Sequence, residues 1–370
     1  MIGLIRLANL PPPLTPVRRE VLQLATFSGP RVDGARRSVV AAPPSLVSAL
    51  VSQRGVTSLL CIVLVGIGLT AALETTAASE TNELPDFDKL WNYSDLDSTE
   101  IRFRAILPAA RRSGDDEYTA QLLTQIARTQ GLQRRFAEAH VTLDEVQKML
   151  SETTPIANVR YLLERGRAHN SSGAPEKAKP LFEKALDAAQ SAHADYYAVD
   201  AAHMMAIVEP PPAALEWNLR AIKLAEEASD ERARGWLGSL YNNTGWSLHD
   251  MERYAEALDI FQKALTWRRE RQQAAETRTA QWCVARTLRS LGRVEEALVR
   301  QRELQAEFDS LGEQDGYVFE ELGECLLALD RADESREHFA RAYANLSQNP
   351  WMVENESERL DRLRELGASR

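Results

Sequence analysis

From about residue 97 to the end of the chain, apolar residues return every three or four positions, and no stretch alternates strictly. That periodicity predicts helix after helix, separated by short breaks at Gly, Pro and Asn. The stretch "LYNNTGWSLHDMERYAEALDIFQKAL", Leu240 to Leu265, shows the pattern at its clearest. Tyr241, Thr244, Gly245 and Leu248 share one stripe at i, i+3, i+4 and i+7, the spacing of a buried helical face. Asn242, Trp246, His249 and Asp250 fall on a different stripe of the same helix.

The unit recurs. Ala257, Phe261 and Ala264 are spaced A-x3-F-x2-A, and Gly245 lies twelve residues before Ala257. The same frame appears as Gly166, Ala178, Phe182 and Ala185, and as Gly323, Ser335, Phe339 and Ala342. Weaker copies start at Ala127 and Ala139, at Ala202 and Ala214, and at Ala285 and Ala297. A small residue on each of two helices lets them approach closely, and the aromatic residue then fills the space beside a neighbouring pair. No single pair buries its apolar face, so such units hold only when stacked and capped at the ends.

These residues resemble the tetratricopeptide repeat (TPR) family, whose W-x2-L-G-x2-Y…A-x3-F-x2-A pattern is met most fully at Tyr241–Ala264 and at Phe319–Ala342. The resemblance covers residues 119–348 and implies an all-α, right-handed α-α solenoid of about six stacked helix pairs. The steps between successive second helices are 39, 36, 43, 40 and 38 residues, longer than the family's period of about 34. Residues 97–118 are expected to cap the front, with Asp97 and Glu100 at the helix start, and residues 349–370 the back, through Leu360, Leu363 and Leu366.

Ahead of the array, residues 1–55 are Pro- and Arg-rich without periodicity and read as a disordered leader. Residues 56–73, "VTSLLCIVLVGIGLTAAL", contain no charge and would span about 27 Å as a helix. Arginines precede this run and acidic residues follow it. It therefore predicts a signal anchor, or a cleaved signal peptide, that places the array outside the cytoplasm on the periplasmic side of a bacterial membrane. Residues 74–96 read as a linker. The alternative is a cytoplasmic TPR regulator or co-chaperone behind a spurious leader.

Charge narrows the partner. The chain carries −10 overall, but residues 1–78 carry +4 and the remainder −14. An acidic array lacks the clustered Lys and Arg that nucleic acid demands. The sequence contains no zinc-ligand spacing, P-loop, dinucleotide fingerprint or nucleophile elbow. It predicts no catalytic residue, no metal and no cofactor. His249 and Asp250 are sequence neighbours that do not face one another on a helix, and Glu295–Glu296 and Glu320–Glu321 read as solvated faces. Cys61, Cys283 and Cys325 read as buried, inert thiols.

TPR solenoids bind ligands mostly along the surface lined by the first helix of each repeat. Carrying the Asn242, Trp246, His249 stripe to the other units gives Arg128, Arg160, Arg167, Asn170, His203, Trp282, Arg286, Arg289 and Tyr317 as groove candidates. Thr124, Tyr196, Glu320 and Glu324 lie on the same stripe. Arg offers a planar fork for carboxylates, and Trp and Tyr supply anchoring area. A protein or peptide partner with an acidic stretch or a free C-terminal carboxylate is the expectation. Against it stands a structural duty: aromatics on a first helix pack against the next repeat, and Arg pairs with Glu along its own helix.

Overall fold

A computed structural model describes residues 84–368. A 3-10 turn at Phe87–Leu90 leads into α1 (Leu96–Ser113). Six antiparallel pairs follow, the first three being α2 (Asp116–Leu132) with α3 (Phe136–Met149), α4 (Pro155–Ser171) with α5 (Pro175–Ser191), and α6 (Asp195–Val208) with α7 (Pro211–Glu227). A single turn, α8 (Glu231–Arg234), separates these from α9 (Leu237–Asp250) with α10 (Tyr254–Glu270), α11 (Ala274–Ser290) with α12 (Val294–Ser310), and α13 (Gly316–Ala328) with α14 (Ala332–Leu346). Two short helices, α15 (Pro350–Asn355) and α16 (Ser357–Gly367), close the array. The described residues contain no strand.

The expected register is the observed one. Ala127, Ala139, Ala178, Ala202, Ala214, Ala257, Ala285, Ala297 and Ser335 are all buried where the two helices of a pair meet. At Gly245, an added Cβ would stand 2.5 Å from the Phe261 ring, and at Gly323 2.8 Å from the Phe339 ring. Gly166 is set against Phe182 in the same way. The repeats that carry Ala at this position have Leu143, Asn218 or Gln301 where the others have Phe, so the larger first-helix residue accompanies the smaller second-helix one.

Backbone turns repeat with equal regularity. The seventh residue after the small residue is left-handed in five of six pairs, at Arg134, Gly173, Glu252, Gly292 and Asp330. One residue with positive φ is enough to end the first helix and reverse the chain. The third pair departs from this because Pro210 and Pro211 follow Glu209, which is extended instead (φ −89°, ψ 151°). The long step of 43 residues is explained by α8, an extra turn that the other connections lack.

The ends differ in detail from expectation. The front helix is capped by Asp95, whose carboxylate accepts from Ser98 N–H, rather than by Asp97. Glu100 is instead buried and paired with Arg104 and Arg135. At the back, Leu360 and Leu363 are buried and Leu366 packs partly against the same core.

The membrane reading requires correction. Among the described residues no helix is long and apolar enough to cross a membrane. The longest, α1, has 18 residues but includes Asp97, Glu100, Arg102, Arg104, Arg111 and Arg112 as well as Pro108. The hydrophobic run 56–73, its Cys61 and the leader 1–55 lie outside the described residues. Anchoring or export is therefore withdrawn.

Candidate functional site

The first helices α2, α4, α6, α9, α11 and α13 each present a stripe at i, i+4 and i+7 along one side of the array. On α4 it is Arg160, Glu164 and Arg167; on α6, Tyr196, Asp200 and His203; on α13, Tyr317, Glu321 and Glu324. The structure brings these stripes side by side through ion pairs that jump from one repeat to the next. Arg128 on α2 reaches Glu164 on α4 at 3.3 Å. Glu164 also holds Arg167 at 2.6 Å, and Arg167 reaches both oxygens of Asp200 on α6 at 2.5 and 2.6 Å. Glu164 and Asp200 are both buried.

A second cluster closes the other end. Glu321 accepts from Arg286 at 2.9 Å and from Arg289 at 2.8 and 3.0 Å. Burial alone would raise the Glu321 pKa, but the two guanidiniums hold it below the usual carboxylate range. Glu320 pairs with Arg359 and Glu324 with Arg362, both on α16, which ties the end helix to α13. Glu320 and Glu321 are thus buried bridging groups rather than a solvated face. Paired buried arginines of this kind keep their charge. Four of the five candidate arginines (Arg128, Arg167, Arg286 and Arg289) have their forks filled by repeat carboxylates.

Beside the second cluster, from α9 to α13, runs a row of uncharged side chains, with the Arg359 guanidinium 5.4 Å from the Tyr317 ring centroid. On α9 the positions along this first-helix side are Ser239, Asn242, Asn243 and Trp246. Trp246 meets Trp282 of α11 at 5.9 Å between ring centroids, and Trp282 meets Tyr317 of α13 at 6.2 Å. The Trp282 Nε1–H donates to Tyr317 O at 3.1 Å. All three rings are half-buried. The Asn242 amide oxygen accepts from the Cys283 thiol at 3.7 Å. Cys283 and Cys325 are buried free thiols, and burial pushes both up to about 12.

The two candidate histidines, His203 and His249, are enclosed to different degrees. His249 sits 3.0 Å from Ser290 Oγ through Nε2, beside Trp246 and Tyr254. Burial, then the charges of Arg286 and Arg289, lower its pKa to about 4. His203 is 4% exposed against Trp236, and burial, then Arg167, lower its pKa to about 4 as well. Asn170 lies half-buried near the end of α4, away from the aromatic stretch.

His203 makes a pH prediction. Its folded pKa of about 4 lies below the unfolded value of about 6.5, so the unfolded chain takes up the proton first. Stability is therefore intact above the unfolded pKa and falls as pH drops toward 4. The loss at pH 5 is about 2 kcal/mol from this group. Thermal melts of a His203→Leu variant should lose much of the wild-type fall between pH 7 and 5. An identical slope in both proteins would remove His203 as the cause.

Residues 84–95, which the sequence marks as linker, also reach this face. Asp88 pairs with Arg160 of α4, one of the two contacts being 3.1 Å. The Trp91 Nε1–H donates to Gln125 Oε1 of α2 at 3.1 Å. Arg160 completes the contact by donating to the Tyr197 hydroxyl of α6 at 2.5 Å. Periodicity gives no signal for this segment, since it is not part of a repeat. Glu164, Asp200 and Glu321 were open to detection as acidic residues on first-helix stripes.

Two open hollows of about 490 and 470 Å³ lie elsewhere, one lined by Leu150, Pro155 and Ala188, the other by Tyr241, Asp259 and Trp267. Among the described residues no group of three or more His, Cys, Asp or Glu is arranged to hold a metal.

Residues 238–271, the pair α9 and α10, match the family model described as tetratricopeptide repeat. No curated protein matches the chain by sequence. Among solved structures, the apo form of RapI is similar with a TM-score of 0.58 at 12% identity, over 71% of this chain and 76% of that one. A signal transduction ATPase (STAND) with a tetratricopeptide repeat sensor, from Pyrococcus horikoshii, is similar with a TM-score of 0.57 at 12% identity. That match covers 75% of this chain, which spans 44% of the STAND protein's length. At such identity both likenesses establish the fold alone.

Proposed function

From the premise that the chain is an array of tetratricopeptide-type helix pairs, we propose that it is a non-enzymatic binding scaffold. Its ligand is an extended peptide or a peptide-like segment of a protein, held along the first-helix face. Arrays of this fold are typical protein–protein interaction scaffolds. The observation that carries the reading is the row Trp246, Trp282 and Tyr317, half-buried rings from three successive repeats, with Asn242 one turn before Trp246 on α9. Rigid aromatic edges supply contact area at low conformational cost, and the Asn242 amide, held by long contacts to Cys283 and Asn243, has a second lone pair and a second N–H for an extended backbone.

The ion pairs reshape the expected ligand. Arg128, Arg167, Arg286 and Arg289 already hold internal carboxylates, so a free C-terminal carboxylate would have to displace one of them. The uncharged row favours apolar or aromatic ligand side chains there, with backbone contacts to Asn242.

Peptides selected for binding to the full chain test this. Their affinity should fall tenfold or more on Trp282→Ala and on Asn242→Ala, about 1.4 kcal/mol each. The melting curve should show that both variants stay folded. Unchanged affinity in both folded variants would move the binding surface elsewhere.

A further inference from the structure

The segment between residue 84 and α1 packs on Phe103 of α1 through Phe87 and Trp91 and also reaches across α2 and α4. An end cap covers the exposed face of the first pair, and α1 does that by packing along α2. The segment runs over the first helices of successive repeats. Tyr118 of α2 donates through its hydroxyl to Pro85 O at 2.7 Å, and Trp91 engages Gln125 on the same helix. Asp88 enters the guanidinium fork of Arg160 on α4. Tyr93, stacked on Trp91 at 4.8 Å, lies within electrostatic range of Arg128, Arg167 and Asp200.

Arg160 makes the arrangement informative. It is 5% exposed, and among the described residues its one ion pair is with Asp88. Its guanidinium also lies 5.3 Å from the ring centroids of both Phe87 and Tyr197. The other inner-face arginines are matched by acids of neighbouring repeats, whereas this one is matched by a residue outside the repeats. A buried guanidinium stacked between rings needs a carboxylate, and the fork is built to take it in bidentate form. The segment that supplies it leaves Pro85, Asp86, Lys89 and Tyr93 exposed, while Phe87 is buried and Trp91 packs partly against the same core.

We propose that the inner face of the first three repeats is a recognition site for an extended peptide bearing a carboxylate between aromatic side chains, and that residues 84–95 occupy it as a displaceable internal competitor. This rests on the reading of the array as a peptide-binding scaffold, and names the ligand chemistry and the regulation of its front half. An incoming segment that reproduces Phe87, Asp88 and Trp91 in order would exchange with the internal one, contact for contact. The apparent affinity there would be the site's intrinsic affinity multiplied by the population of the open form.

The probe is a labelled peptide with the sequence of residues 84–95, titrated by fluorescence anisotropy into the full chain. A full-length Asp88→Ala, Trp91→Ala variant, which vacates the site, should bind it at least tenfold more tightly than the wild type does. The gain should vanish when Asp88 of the peptide is replaced by Asn, or when Arg160→Gln is added to the variant. Equal binding to both proteins, or none to a variant whose helicity and melt are native, overturns the proposal.

Should the double variant not fold, hydrogen exchange on the wild type decides the question. Amides of residues 84–95 should exchange at least tenfold faster than those of α1 and α2, because the segment opens while the array stays folded. Exchange no faster than that of α2 makes the segment a structural part of the array and overturns the proposal. Failure here with Trp282→Ala still weakening selected peptides leaves the central aromatic site standing. Failure of both removes the first-helix face altogether.

Discussion

Glu321→Ala should destabilise the array by about 3–5 kcal/mol, the range for removing one partner of a buried ion pair. The carboxylate is 4% exposed and serves two guanidiniums, Arg286 and Arg289, across the gap between α11 and α13. Their side chains are themselves only about a tenth exposed, so neither can turn out to water without breaking the packing around Trp282 and Leu322. Removing Glu321 leaves two positive charges side by side in a place that solvates neither. Urea unfolding is the measurement, with Glu296→Ala as control. Glu296 is bound to Arg293 and Arg300 on the surface of α12, and its loss should be a small fraction of the Glu321 effect, because solvent screens an exposed pair. Comparable losses from both variants would mean that the inner-face pairs carry no more than surface ones.

That cluster also shows where the sequence stops being readable. The register of the array is written in nearest-neighbour terms. A small residue and its partner twelve positions on lie in one pair, so Gly245 and Ala257 or Gly166 and Ala178 are visible as a local pattern. The ion pairs are not local in this way. Arg128 with Glu164, Arg167 with Asp200 and Arg289 with Glu321 join positions 36, 33 and 32 residues apart, so each depends on how far successive first helices are rotated and shifted. A helical wheel places Glu320 and Glu321 on a face without saying that another helix covers it. The length of the third connection was legible as a long step, but not the turn α8 that absorbs it.

The front segment was hidden for a different reason. Asp88 and Arg160 are 72 residues apart, and residues 84–95 carry neither a helical stripe nor an alternation. Composition alone makes such a stretch a linker. What distinguishes it is the aromatic density of Phe87, Trp91 and Tyr93 around one acid. That has no meaning until Arg160 is seen buried with Tyr197 beneath it. The central aromatic row was easier to find, because Trp246 has no packing duty in the repeat pattern, although the structure gives it a partial one against Phe261.

The Gly–Phe contact yields the second large effect. Gly245→Leu should lower stability by about 3 kcal/mol, at the upper end for overpacking a filled core. The first added carbon would already stand 2.5 Å from the Phe261 ring, which is fully buried and has no space to retreat into. The repeats themselves contain the compensating exchange. Where the first helix carries Ala, at Ala127, Ala202 and Ala285, the facing position is Leu143, Asn218 or Gln301 and never Phe. Gly245→Ala should therefore be harmful with Phe261 present, despite the better helix propensity of Ala by about 1 kcal/mol. In a Phe261→Leu background the same change should become neutral or favourable. A double-mutant cycle read by urea unfolding should give a coupling of at least about 1 kcal/mol, since the two groups touch. Additive losses would mean that the pairing of Gly with Phe across the repeats is an accident of six copies and not a steric rule of this array.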